Sequence, residues 1–292
     1  MSAGFVRPRT VDEALEVLGD DNAMPIAGGV AVGVLTNLGL VSASWFVAIG
    51  RLPGLRGVTL GDDGAELVLG AATPHARLAD DPLLRDELPQ AAGMFGHIGN
   101  IRVRNWGTVG GNLALAEPAQ DPPVLLAALG ADVVADGSSG RRRLPVATFA
   151  EGPMTTVLQP GELITQIVIP RLGADERCAY LKFLPTTADD YATVSAAVRL
   201  RLDGDLIIES RIFCGSVGPV PVDCAAAAAL LVGRSAEADD RFDGVADAVA
   251  DVVSPLTDQR GEAEYKREMA GVFVRRALER ALAGGRPDGG RG

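Results

Sequence analysis

The stretch IRVRNWGTVGGNLALAEPAQD, residues 101–121, constrains this chain more than any other. It carries Thr108-Val109-Gly110-Gly111-Asn112, a glycine pair flanked by a hydroxyl and an amide. Asp121 follows, directly before Pro122-Pro123 and an apolar run. Adjacent glycines let the backbone take positive φ and approach a ligand with no Cβ in the way. Successive N–H groups in such a turn converge into a concave anion site, to which Thr108 and Asn112 add side-chain donors. A second pair, Ala27-Gly28-Gly29, follows the short apolar run Met24-Pro25-Ile26. Two such turns suit a ligand with two phosphates held between two loops. Two tight turns with no ligand are the other reading of the same spacing.

Other chemistries fall away on composition and spacing. The net charge of −11 argues against an electrostatic nucleic-acid binder, whose footprint is basic. Arg141-Arg142-Arg143 is the local exception; it follows Gly137-Ser138-Ser139-Gly140 and reads as the solvated arm of a hairpin. No apolar run reaches the about 18 residues a membrane span needs. The first residues, MSAGFVRPRTVDEALEVL, contain no continuous apolar stretch, so a cytoplasmic location is expected. Cys178, Cys214 and Cys224 form no C-x-x-C pair, which disfavours a disulfide framework or an iron–sulfur site. With only His75 and His97, no zinc site of the usual kind assembles, and no metal ligands are assigned. His97 reads as a packing residue and His75 as the start of a helix. Gly28 to Gly33 has the wrong spacing for a dinucleotide fingerprint, and neither G-K-[ST] nor G-x-S-x-G occurs. Any redox group is therefore an organic cofactor or sits on another chain.

The 292 residues suggest two or three compact units. Thr10 caps a helix, VDEALEVLGDD, with Glu13 at the capping-box position. A strand MPIAGG, a helix through VAVGVLTNLGL and a strand WFVAIG give a small α/β unit with parallel strands, residues 1–54. In residues 55–172 the pattern predicts a strand at 67–70, helices at 76–88 and 90–98, and a buried run at 124–129. A hairpin follows around GSSG, and then an alternating strand at 162–169 that ends at Pro170. In residues 173–284, strands at 192–202 and 206–215 surround Asp203-Gly204. Helices follow at 225–231, 242–253 and 262–283. Residues 285–292 read as a disordered tail. The fold class is α+β: two α/β subdomains, then a small antiparallel sheet with a helical bundle.

The order AGG, IGRLPGLRGV, GAATPHARLADDP and HIGNIRVRNWGTVGGNLALAEPAQDPP resembles the FAD-binding subunits of molybdenum hydroxylases. These include the medium subunit of carbon monoxide dehydrogenase, the flavin subunits of nicotine and caffeine dehydrogenases, and the flavin segment of xanthine dehydrogenase. VRNxGTxGGN with the downstream PAxDPP is the most specific part. The resemblance implies FAD as cofactor, with Pro25, Ile26, Ala27, Gly28, Gly29, Val30, Ala31 and Val32 as the first pyrophosphate segment. It implies Thr108, Val109, Gly110, Gly111 and Asn112 as the second. Asp121 matches the acid that holds the FAD ribose, and a plain helix N-cap is its other reading. Ile98 and Ile164 match apolar residues beside the flavin, or are plain core. Lys182, in YLKFLPTTADDYA, matches a lysine close to the cofactor, where a cation stabilises a reduced, anionic flavin.

The chain departs from that pattern at three places. Val30 and Ala31 replace a hydroxyl and a polar residue, and Thr186 replaces an arginine that pairs with an acid such as Asp189 or Asp190. Each lost hydrogen bond costs about 1 kcal/mol. A structural or assembly subunit that has lost FAD is therefore the alternative to an electron-transferring flavoprotein. The resemblance further implies a small [2Fe–2S] subunit and a large molybdopterin subunit as partners, in a dimer of heterotrimers. The interface is expected beside the glycine turns, with residues 91–101 as a candidate contact.

Overall fold

The computed structural model describes residues 3–185 and 191–284. Thr186, Asp189, Asp190 and the tail 285–292 lie outside the described residues.

The first sheet is parallel, in the order β1 (Gly4–Val6), β3 (Trp45–Ala48), β2 (Ala23–Ile26). Helix α1 (Val11–Leu18) joins β1 to β2, and α2 (Val30–Asn37) joins β2 to β3. Thr10 Oγ1 accepts the Glu13 N–H at 3.1 Å, and the Glu13 carboxylate accepts the Arg9 N–H at 2.7 Å. The N-terminus of α1 is thus capped from both sides, as the sequence pattern requires. Ala14, Leu18, Val47 and Ile49 form the core of this unit.

The second sheet is antiparallel and contains β4 (Val58–Leu60), β5 (Glu66–Gly70), β6 (Asp132–Gly137), β7 (Gly140–Pro145) and β10 (Leu163–Pro170), in the order β4-β5-β10-β6-β7. Between β7 and β10 runs a small two-stranded ribbon, β8 (Ala150–Gly152) with β9 (Thr155–Thr156). Strand β7 is an edge, and its three arginines are paired. Arg141 meets Asp136 at 2.8 Å, Arg142 meets Glu162 at 2.7 Å, and Arg143 meets Glu66 at 2.8 Å and Asp132 at 2.9 Å. Charged edges of this kind resist strand addition.

Six helices lie between β5 and β6: α3 (His75–Asp80), α4 (Pro82–Glu87), α5 (Pro89–Gly96), α6 (Ile101–Trp106), α7 (Val109–Leu115) and α8 (Asp121–Leu129). The single helix expected over 76–88 is two. Asp81 is extended at ψ 123° and caps α4 by accepting the Leu84 N–H at 3.1 Å, with Pro82 at the first helical position. A residue before proline is pushed out of the helical region, which divides the pattern there. All nine residues of α8 are buried. It packs on α5 and on the second and third sheets, which explains a helix with no polar face.

The third sheet is an antiparallel meander: β11 (Glu176–Phe183), β12 (Val194–Asp203), β13 (Leu206–Gly215) and β14 (Val222–Asp223). Helix α9 (Ala225–Ala229) packs on β13, and α11 (Ala263–Leu282) covers β11 and β12 with α10 (Val245–Val252) against it. Lys266, in the first turns of α11, is 2 % exposed, with its ammonium 2.6 Å from Asp258 and donating to the Leu256 carbonyl at 3.0 Å. Among the described residues, no helix is long and apolar enough to cross a membrane.

Candidate functional site

The first glycine segment packs against the chain just ahead of the second. Gly28 lies so close to the main chain of Trp106 that a Cβ there would overlap the Trp106 carbonyl oxygen. Only glycine permits that approach. Gly29 precedes α2 at φ 78°, and α2 has no side-chain cap. The N–H groups of Gly28, Gly29 and Val30 donate to no acceptor among the described residues. They sit at the positive end of α2, where an anion is favoured. An open cleft of about 330 Å³ begins here, lined by Gly28, Gly29, Val30, Arg102, Val103 and Trp106. Pro25 and Ile26 end strand β2 below it, Ala27 leads into the turn, and Ala31 and Val32 continue α2.

The second segment differs from the expected turn. Gly110 and Gly111 do not have positive φ; they form the first turn of α7. Thr108 is its N-cap, and Thr108 Oγ1 accepts the Gly111 N–H at 3.2 Å. Val109 N–H donates to Thr73 O at 3.2 Å, and Gly110 N–H to Ala71 O at 2.8 Å. Three donors expected to face a ligand are thus engaged within the fold. Gly110 is small for packing reasons: a Cβ there would stand 2.7 Å from the Ala71 Cβ and 2.9 Å from its carbonyl oxygen. This segment offers a ligand the exposed backbone of Gly111 and the Asn112 side chain, whose Oδ1 is buried with no hydrogen-bond partner. A buried, unpaired amide oxygen is costly unless something else satisfies it.

His75 supports this segment from behind. Its backbone N–H donates to Gly107 O at 2.9 Å, and its ring stacks on Phe95 at 5.7 Å. The ring is 2 % exposed, and burial lowers its pKa to about 4. His97, expected to pack, is instead exposed, with its ring nitrogen 2.7 Å from Gly93 O.

Asp121 is not a helix cap; Gln120 occupies that position. Its carboxylate, 4 % exposed, accepts from Tyr180 Oη at 2.6 Å and from Lys182 Nζ at 2.8 Å. This joins α8 to β11. Burial, then the Asp121 charge, push the Tyr180 phenol well above its usual value. The Lys182 charge is therefore balanced within the fold. Ile98 and Ile164 are buried in the central core, and neither lines the cleft at Gly28–Val30. The stretch 91–101 is largely core as well: Ala91, Ala92, Met94, Phe95 and Ile98 face inward. The exposed apolar side chains at this end are Ile101 and Trp106, the latter 66 % exposed.

A cleft with free amides at Gly28–Val30 on one side and Arg102 and Trp106 of α6 on the other is suited to an anionic cofactor. Residues 1–172 match the FAD binding domain in molybdopterin dehydrogenase, and residues 179–281 match the CO dehydrogenase flavoprotein C-terminal domain. The chain belongs to this family of FAD-binding molybdenum hydroxylase subunits. It is similar to the carbon monoxide dehydrogenase medium chain of Afipia carboxidovorans, 34% identical with 97% of each chain covered. It is also similar to the glyceraldehyde dehydrogenase medium chain of Sulfolobus acidocaldarius, 32% identical over 94% of this chain and 96% of that one. Among solved structures, carbon monoxide dehydrogenase from Hydrogenophaga pseudoflava matches with a TM-score of 0.91 and 33% identity, covering 97% of this chain and 98% of that one.

The protein is thus a flavoprotein oxidoreductase subunit with FAD as cofactor. The residues present fit it: free amides at Gly28–Val30 and a turn without Cβ suit the pyrophosphate, and the unpaired Asn112 oxygen is an acceptor for a hydroxyl or ring N–H of the cofactor. The flavin-free alternative is not favoured. Val30 and Ala31 remove side-chain donors but leave the backbone donors in place. Sequence reasoning assigned no role to Arg102 or Trp106 in the cleft, or to Tyr180 at Asp121. All three stood inside or beside the quoted motifs, Arg102 and Trp106 ahead of Thr108 and Tyr180 two residues before Lys182, but nothing in their spacing pointed to these contacts.

Proposed function

We propose that this chain is the point where electrons leave a molybdenum hydroxylase complex. The carrying observation is the set of unspent Gly28–Val30 amides at the mouth of a cleft closed by Arg102 and Trp106, just ahead of the second glycine segment, in a chain matched by the FAD-binding family over nearly its whole length. When bound, FAD supplies a carrier that accepts electrons one at a time and passes them on, and the protein supplies binding, orientation and electrostatics.

In this reading the segments Pro25–Val32 and Thr108–Asn112 hold the pyrophosphate between them. Backbone N–H groups and the α2 dipole provide the favourable field. Asp121, Lys182, Ile98 and Ile164 serve the remainder of the cofactor. The Asp121 carboxylate has acceptor capacity beyond Tyr180 and Lys182, so a ribose hydroxyl shares it without displacing them. Lys182 is held in place by Asp121, and the pair presents a fixed dipole more than a bare cation. Units 1–54, 55–172 and 173–284 follow the three sheets.

The partners in this reading are a small [2Fe–2S] subunit and a large molybdopterin subunit, in a dimer of heterotrimers in the cytoplasm. The family resemblance supports this, as do relatives named medium chains. Within residues 91–101, Ala91, Ala92, Met94, Phe95 and Ile98 are spent on the core, so the contact in this reading rests on the exposed Ile101 and the neighbouring Trp106. Co-expression with the two partner subunits tests the reading. Substrate should bleach the flavin absorption of the complex under anaerobic conditions and leave that of the isolated chain unchanged. Substrate-driven bleaching of the isolated chain would refute it.

A further inference from the structure

We propose that Arg102 is a cofactor-binding residue, the cation that neutralises the FAD pyrophosphate where the first glycine segment has lost its side-chain donors. This rests on the reading of the cleft as the FAD site. Among the described residues, Arg102 is the one charged side chain lining the cleft that Gly28, Gly29 and Val30 also line. Its backbone N–H is held by Asn100 Oδ1 at 3.0 Å, which fixes the start of α6. Its guanidinium makes no ion pair or hydrogen bond among the described residues. Most arginines around the second sheet are paired with acids, and Arg104, two residues beyond Arg102 on the opposite face of α6, donates to the carbonyls of Ile98 and Gly99. An exposed, unpaired arginine in a chain of net charge −11 is left for an anion that arrives from outside.

The chemistry is specific. A planar guanidinium presents a fork of donors that matches a phosphate oxygen pair, and its charge stays at any working pH. The Gly28–Val30 amides supply partial charges only, and Val30 and Ala31 add nothing from their side chains. A full positive charge across the cleft offsets that deficit.

The test is FAD binding to the complete chain stripped of flavin, followed by flavin fluorescence quenching at several ionic strengths. Wild type should bind FAD less tightly as salt rises, because an exposed ion pair is screened. Arg102→Ala and Arg102→Gln should bind about tenfold or more weakly, the usual loss for one charge-assisted hydrogen bond, and with a flatter salt dependence. Arg102→Lys should recover part of the affinity. Variants that bind FAD as tightly as wild type, with the same salt dependence, would overturn the role of Arg102 and leave the cleft assignment standing. A wild-type chain that binds no FAD would overturn both.

Discussion

Acid should loosen this protein through one residue, His75. Its imidazole is buried, its pKa is lowered from 6.5 to about 4 by that burial, and its Nδ1 has no hydrogen-bond partner. The neutral ring is what the fold accepts. The unfolded chain therefore binds a proton in the interval from about pH 6.5 down to about pH 4 that the folded chain does not. In that interval stability rises with pH and falls with acid. The full difference corresponds to about 3 kcal/mol at 1.36 kcal/mol per unit, and about 2 kcal/mol of it is lost by about pH 5. His75→Leu, close in size and without a proton to gain, should remove this contribution. Urea unfolding of wild type and variant across the interval measures it, and the difference between the two curves isolates the residue. The stabilities should diverge as pH falls, with the variant the more stable under acid. Parallel curves would show that the ring is not held neutral, and would refute the reasoning.

Other outcomes follow from the same contacts. Gly110→Ala pushes a Cβ against Ala71 and should cost about 1–3 kcal/mol in chemical denaturation; a neutral result would mean that the α7 contact is slack. Gly111→Val puts bulk on the exposed side of the segment, 2.9 Å from only the Thr108 hydroxyl, and should empty the flavin site while the chain still folds. Full flavin occupancy would make that glycine structural. Lys182→Met leaves the Asp121 carboxylate buried without its cation and should cost about 3–5 kcal/mol. Adding Asp121→Asn should recover much of that loss, and simple additivity would deny the coupling.

The sequence expressed some parts of this molecule more clearly than others. Thr10 and Glu13 announced α1 because capping is local chemistry. The hairpin around Gly137–Gly140 and the strand ending at Pro170 were visible for the same reason: turn residues and alternation act over a few positions. Strand β11 escaped because Glu176, Arg177 and Lys182 interrupt its alternation; Glu176 is held by the distant Arg199 and Lys182 by the distant Asp121. Strand β1 has three residues and gains its place only by pairing with β3, about forty residues away. Helix α6 is short, and its turn is set by Asn100 and the Arg104 contacts more than by apolar spacing.

The candidate site divides the same way. Gly28 and Gly29 were expected to allow close approach to a ligand; Gly28 closely approaches the Trp106 main chain and Gly29 has positive φ, both properties legible from a single residue. Gly110 and Gly111 looked like a second such turn and are the first turn of a helix, because what Gly110 approaches is Ala71, a neighbour known only from the fold. The tie between Asp121 and Lys182 joins residues far apart in the chain and was likewise invisible to spacing.

A crystal structure of the chain with FAD bound tests the central claim most directly. The pyrophosphate should lie between the Gly28–Val30 amides and the second glycine segment, with the Arg102 guanidinium on a phosphate oxygen. FAD bound elsewhere on the chain, with this cleft empty in the same crystal, would contradict it.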